Sequence, residues 1–320
     1  MTRAVLVMAY GGPDSLDDIE PYLLDIRGGR PTSPEFVAEI RERYARIGGR
    51  SPLLEITRAQ AAGLEDCLNS FSTAAGGGPD YRVYVGMRHW KPYIREAVAQ
   101  IAADGCREGL AFCMTPQSSR MSTGAYLAKL REAEAGLPAP FHLEFIESWY
   151  AELFLARALA AKARAALQKF PAGARGEVYY LFTAHSLPAA ILDGGDPYPE
   201  QLRETARLVA AELGLSEGRW SFCYQSAGAA PGEWLGPSIE QILPDYARKG
   251  LRNILAIPVG FMADHVEVLY DLDIEAQEIA RAAGIHLERS ESLNASGDFI
   301  DGLSRFLLTR TQPGSADASR

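Results

Sequence analysis

Short apolar runs that read as buried strands alternate with helical stretches along almost the whole chain, and nothing else restricts the fold as much. Residues 4–9 form an unbroken apolar run that enters Gly11-Gly12-Pro13, the pattern of a strand covered on both faces and leading into a turn. Further strands are expected at 81–86, 109–114 and 142–146, with helices beginning near Pro92 and Ser122. Ser15 and Ser33 stand at N-cap positions and Pro34 at a first helical position. An alanine-rich helix over about 151–169 runs into a break of small residues at 171–176. The alternation then restarts, with strands at 177–183, 219–224, 253–258 and 285–289. Strands alternating with helices imply parallel sheets with right-handed crossovers. The expected fold is α/β: two similar, doubly wound domains, each on a parallel four-stranded sheet. Ligands of such sheets bind beyond the carboxyl ends of the strands, so an interdomain cleft is the expected site. The predicted division is 1–150, a linking helix and loop over 151–175, a second domain over 176–310, and a disordered tail over 311–320.

Composition narrows the function. A chain of 320 residues exceeds what one core usually holds, and 47% hydrophobic with 23% charged residues is ordinary for a soluble globular protein. The net charge of −9 argues against a nucleic-acid partner, which would call for a basic patch. The four cysteines form no C-x-x-C pair, so a thiolate zinc or iron–sulfur site is not expected. Cys113 and Cys223 sit in apolar runs and are expected as buried core thiols. Met1-Thr2-Arg3 leads straight into the first strand, unlike a signal peptide, and no apolar run approaches the length of a membrane span. A cytoplasmic monomer with no integral membrane segment is the expectation.

Chemistry-bearing residues follow the predicted strands. Glu267, Asp271 and Glu275 stand at i, i+4 and i+8, and on a regular helix they would form one column of mutually repelling carboxylates. No lysine or arginine occurs in 262–280 to relieve them. Asp264 as N-cap with Glu267 three residues on would be a capping box, which leaves Asp271 and Glu275 unexplained. The column is therefore either a path for a divalent cation or an ordinary acidic face. His185 closes the strand expected before His185-Ser186-Leu187-Pro188. It could be a loop histidine, a ligand for Fe²⁺ together with carboxylates, or a general base. Tyr10 ends the first strand and could face either core or cleft. Arg27, Arg30, Arg43, Arg46 and Arg50 form a cationic group suited to a ligand with several carboxylates, or to pairing with Glu35, Glu39 and Glu42.

Several ordered motifs carry a resemblance. They are Met8-Ala9-Tyr10-Gly11, Ile47-Gly48-Gly49-Arg50-Ser51-Pro52-Leu53, Gly86-Met87-Arg88-His89-Trp90 and Glu147-Ser148-Trp149-Tyr150 in the first half. The second half adds Ala184-His185-Ser186-Leu187-Pro188, Gly195-Asp196-Pro197-Tyr198-Pro199, Tyr224-Gln225-Ser226, Trp234-Leu235-Gly236-Pro237, and the run from Asp264 to Asp271. From about residue 4 to residue 308 the chain resembles ferrochelatase, the family that inserts ferrous iron into a porphyrin. The resemblance implies two Rossmann-like domains with the porphyrin between them. It places His185 and Glu267 on the family's metal and catalytic pair, and Asp271 and Glu275 on the acidic column thought to pass or hold a second divalent cation. Tyr10 resembles the coproporphyrin III branch, in which the tyrosine approaches the metal from the opposite face of the ring. Arg27, Arg43, Tyr44, Ser51 and Tyr126 fall where that branch contacts the macrocycle and its propionates. The substrates implied are Fe²⁺ and a porphyrin, coproporphyrin III ahead of protoporphyrin IX, with no further cofactor. Two departures stand out: Gln117 occupies a position held by histidine in some relatives, and no C-terminal cysteine cluster is present, so no iron–sulfur cluster is expected. The rival classes are a cobalt chelatase of corrinoid synthesis and a non-catalytic haem or porphyrin carrier.

Overall fold

The computed structural model describes residues 2–228 and 232–311. Eight strands among the described residues form two four-stranded sheets in which every pairing is parallel. The first sheet contains β1 (Thr2–Ala9), β2 (Asp80–Met87), β3 (Gly109–Cys113) and β4 (Glu144–Ile146), in the order β2-β1-β3-β4. The second contains β5 (Tyr179–His185), β6 (Trp220–Gln225), β7 (Asn253–Pro258) and β8 (His286–Arg289), in the order β6-β5-β7-β8. The same spatial order recurs in both, so the two halves are topological repeats as the alternation implied.

Each sheet is covered by helices, which is why its strands are apolar along their length. Leu6 and Met8 of β1 and Ala111 and Cys113 of β3 meet Ile94, Val98 and Ile101 of the Ile94–Ala103 helix, with Leu130 of the Thr123–Ala135 helix. In the second sheet, Leu181, Cys223 and Ile254 meet Ile239, Leu243 and Tyr246 of the Ile239–Arg248 helix. Backbones approach closely at Gly109, where a Cβ would stand 2.0 Å from the Ala4 carbonyl oxygen. Only glycine fits there. Cys113 and Cys223 are buried as expected, and burial pushes both thiols up.

Two compact units emerge, and neither is continuous in sequence. One comprises Met1–Val37, Ser51–Trp149 and the segment from Asn294 onward; the other comprises Ala38–Arg50 and Tyr150–Leu293. The Gly297–Arg310 helix packs against the Leu53–Ala74 helix of the first unit. The Leu153–Leu167 helix packs on the Tyr198–Leu213 helix and on β7, so it is an element of the second unit. Its buried Ala156, Ala160 and Ala163 allow that close approach. The expected tail, 311–320, lies outside the described residues except for Thr311. Among the described residues no helix is long and apolar enough to cross a membrane.

Caps follow hydrogen-bond competition as much as sequence pattern. Ser33 accepts from the Phe36 N–H at 3.3 Å at the start of the Pro34–Arg46 helix. Ser15, expected as a cap, instead donates its hydroxyl to Asp18 at 2.7 Å.

Candidate active site

His185 is the last residue of β5, where the strand leaves the sheet at its carboxyl end. Its Nε2 lies 3.3 Å from Glu267 Oε1, and the other Glu267 oxygen lies 3.3 Å from Nε2 of His265. One carboxylate thus touches two imidazoles. His265 is oriented by a hydrogen bond from Nδ1 to the Ala263 carbonyl at 2.9 Å. Burial works against charge on His185, yet the adjacent Glu267 carboxylate, helped by the Ser186 backbone and Asp271, raises the imidazole pKa above its ordinary value. Burial would push the Glu267 carboxyl up, but the two imidazoles hold it well below the usual carboxylate range. The pair therefore favours imidazolium beside carboxylate. Its side chains remain 25% and 33% exposed, so a small ion can reach it.

The acidic run departs from a regular helix. After one α-helical turn at Val266–Leu269 comes a π-helical stretch at Asp271–Ala276, in which the Glu275 N–H bonds to the Tyr270 carbonyl at 2.9 Å. Each residue turns an α-helix by about 100°, so a widened turn displaces Glu275 from the straight column expected from i, i+4 spacing. Glu275 is half-buried and still acts on Asp271. The capping box is absent. His265 occupies the N-cap position, while Asp264 accepts from Ser292 at 2.7 Å and pairs with Arg289 at 3.5 Å.

Positive charge reaches this run from distant sequence. Arg289 makes a two-pronged bond to Asp273 at 2.6 and 2.7 Å. Arg46 pairs with Glu278 at 2.6 Å, and Arg43 lies 3.5 Å from Asp271 while also bonding Glu39 at 3.0 Å. Both guanidiniums also lie about 5 Å from the Tyr270 ring centre, at 5.0 and 5.3 Å. The run is thus not an unrelieved acidic face, and the expected pairing of Arg43 with Glu39 does form. Tyr44 is buried. Asp271 is also buried, accepts from the Ser226 hydroxyl, and has its pKa pushed up to about 7, chiefly by burial and by Glu267 against the opposing Ser226 and Arg43. Among the described residues, no three His, Cys, Asp or Glu side chains converge as a metal cage.

The remaining candidates lie in the first unit. Tyr10 follows β1 and is 39% exposed, with its ring 4.8 Å from that of His89 and 5.8 Å from the Arg88 guanidinium. Arg88 also lies 5.4 Å from the Tyr126 ring, which is otherwise buried. His89 is held by Asp25 at 2.8 Å, and burial lowers its pKa. Gly11, just past Tyr10, has φ of +96° and would set a Cβ 2.9 Å from the Trp90 nitrogen, so the loop can turn only with glycine. Arg27 is exposed, and Ser51 is half-buried, with its hydroxyl accepting from the Leu53 N–H at 3.3 Å.

A family model described as ferrochelatase matches residues 2–311. The ferrochelatase of Deinococcus radiodurans is 42% identical over 299 residues, covering 93% of each chain. The chain belongs to the ferrochelatase family. A coproporphyrin III ferrochelatase of Bacillus subtilis is 37% identical over 307 residues, covering 96% of this chain and 97% of that one. Among solved structures, the cobalt-bound sirohydrochlorin chelatase SirB of Bacillus subtilis subspecies spizizenii aligns with a TM-score of 0.53 at 10% identity, over 97% of this chain and 94% of that one. That likeness concerns the fold. Four residues of this ferrochelatase-family site carry no sequence-based assignment: Gln225, Ser226, His265 and Arg289. Tyr224-Gln225-Ser226 follows a predicted strand end, as His185 does, and that position was the available signal for two of them.

Proposed function

We propose that the chain inserts Fe²⁺ into coproporphyrin III, acting as a cytoplasmic monomer. The observation that carries this is the His185–Glu267 contact at 3.3 Å at the carboxyl end of β5. Ligand bonds of about 2.1 Å from nitrogen and oxygen set two adjacent donors roughly 3 Å apart, which the 3.3 Å separation of this pair already matches. Borderline imidazole nitrogen and hard carboxylate oxygen together suit Fe²⁺. The preference for coproporphyrin III rests on Tyr10 in Met8-Ala9-Tyr10-Gly11 and on relatives named for that substrate. Relatives named simply ferrochelatase are somewhat more similar, at 42% identity against 38% and 37%, so protoporphyrin IX is the alternative to be tested.

Metallation releases two pyrrole protons as the ring nitrogens take the metal. In this reading His185, which rests as imidazolium, first gives its proton to solvent and then accepts one from the ring, and its raised pKa makes it the stronger base. Glu267, held well below the carboxylate range, remains a carboxylate throughout: it stabilises the imidazolium and attracts the cation. Asp271, near 7, is the group that can take up and release a proton at neutral pH. Tyr10, Arg27, Ser51 and Tyr126 of the first unit and Arg43 and Tyr44 of the second are proposed to contact the porphyrin. A second divalent cation at Asp271 and Glu275 would displace Arg43 from Asp271. Binding energy at the propionates would support bending of the ring, which exposes the nitrogen lone pairs.

The test is anaerobic mixing of the purified protein with Fe²⁺ and either coproporphyrin III or protoporphyrin IX, followed by absorbance. Faster metallation of coproporphyrin supports the proposal. Preference for protoporphyrin overturns the substrate assignment, and metallation of neither overturns the activity.

A further inference from the structure

At the carboxyl end of β6 two consecutive residues bond to Ser186 beside His185, to the Glu267 backbone and to Asp271. Gln225 stands opposite His185 in the β5–β6 register, and its carbonyl accepts from the Ser186 N–H at 2.8 Å. The Gln225 side-chain amide donates to the Glu267 backbone carbonyl at 2.6 Å. The next residue, Ser226, donates its hydroxyl to one oxygen of Asp271, whose other oxygen faces Arg43 at 3.5 Å.

Both residues carry a cost that packing alone does not explain. Ser226 has φ of +60°, in the left-handed region that glycine enters without penalty. Gln225 is fully buried, and its Oε1 has no hydrogen-bond partner, a loss that an apolar side chain of similar shape would avoid. Glycine at 226 and an apolar residue at 225 would relieve these costs and would lose only the two donors. Strain and unpaired groups tolerated at one point mark a functional constraint.

We propose that Gln225 and Ser226 are positioning residues for metal delivery: the amide fixes the backbone that carries Glu267, and the hydroxyl sets the orientation of the Asp271 carboxylate. The inference rests on the iron-inserting function proposed above and deepens it. With its two oxygens held by Ser226 and Arg43, Asp271 has one orientation, and Glu267 is anchored one helical turn away. An incoming cation then meets carboxylates in fixed places, as a site that acts by geometry requires.

Three substitutions separate the hydroxyl from the backbone. Ser226→Gly relieves the left-handed strain and removes the donor; Ser226→Ala keeps the strain and removes the donor; Ser226→Asn tolerates the backbone and retains a donor. Fe²⁺ is varied at saturating coproporphyrin III, and the porphyrin at saturating Fe²⁺. Ser226→Gly and Ser226→Ala are expected to lose roughly tenfold in kcat/KM for Fe²⁺, the size of one hydrogen bond to a charged group, with porphyrin KM unchanged. Ser226→Asn should recover part of the loss, and Gln225→Met should share the Fe²⁺ defect. Wild-type kinetics in Ser226→Gly, or a loss falling equally on porphyrin KM, would overturn the proposal. Should the wild-type protein metallate no porphyrin, the functional reading falls. Anaerobic calorimetry of Fe²⁺ binding then tests the positioning role by itself: weaker binding by Ser226→Gly than by wild type supports it, and equal affinity overturns it.

Discussion

Asp271→Asn is expected to make the protein more stable at neutral pH. The native carboxyl has its pKa pushed from 3.8 to about 7, with burial as the main cause. A group raised in this way contributes stability below its unfolded value, and that stability is lost as pH rises through the native value. At about 1.4 kcal/mol for each pH unit, the ionised native carboxylate costs about 4 kcal/mol at pH 8, of which about 1.5 kcal/mol is already incurred by pH 5. Asparagine keeps the shape and has no charge to bury. Relative to wild type, its stability gain should therefore grow by about 2–3 kcal/mol between pH 5 and pH 8. The loss of the Arg43 and Ser226 contacts lowers both values without changing their difference. Urea unfolding of both proteins at the two pH values measures it. A gain that does not grow with pH, or a variant less stable than wild type only at pH 8, would refute the reasoning.

Glu267→Gln should drop the His185 pKa below the ordinary imidazole value of about 6.5, because burial then acts without its counter-charge; an NMR titration of His185 at or above the wild-type midpoint would contradict this. The wild-type pair adds stability below that value and loses it as pH rises through the raised native pKa, whereas the variant should lose stability as pH falls. Arg289→Met should destabilise by about 3–5 kcal/mol, as expected when one partner leaves a largely buried ion pair, since Arg289 is 12% exposed and holds Asp273 and Asp264; denaturation would show it. Gly109→Ala should cost several kcal/mol or prevent folding, because its Cβ would press on the Ala4 carbonyl rather than on a movable side chain; an unchanged unfolding midpoint would mean that β1 and β3 can part.

The strands were legible because a strand covered on both faces must be apolar along its length, and β7 runs from Asn253 to Pro258 as its pattern indicated. His185 was legible for the same reason, since a strand end fixes where the next side chain stands. The ownership of helices was not legible. The Pro34–Arg46 and Gly297–Arg310 helices each show a core-facing side without stating which core it covers: residues 38–46 of the first fall in the second unit, and the Gly297–Arg310 helix falls in the first. Asp264 and Glu267 matched a capping box, yet Ser292 and Arg289 offered Asp264 stronger partners from beyond the helix. Regular spacing also assumed a regular helix, and the π-helical turn after Tyr270 breaks that assumption. Arg43 reaches Asp271 across 228 positions of sequence, which no local pattern encodes.

Comparison of wild type with His185→Ala under anaerobic conditions bears most directly on the central claim, with porphyrin binding read by fluorescence and metallation by absorbance in the same samples. The variant should bind coproporphyrin III as wild type does and leave it metal-free. Metallation at a near-normal rate would contradict the role given to the His185–Glu267 pair, and loss of porphyrin binding would show that His185 serves the ring instead of the metal.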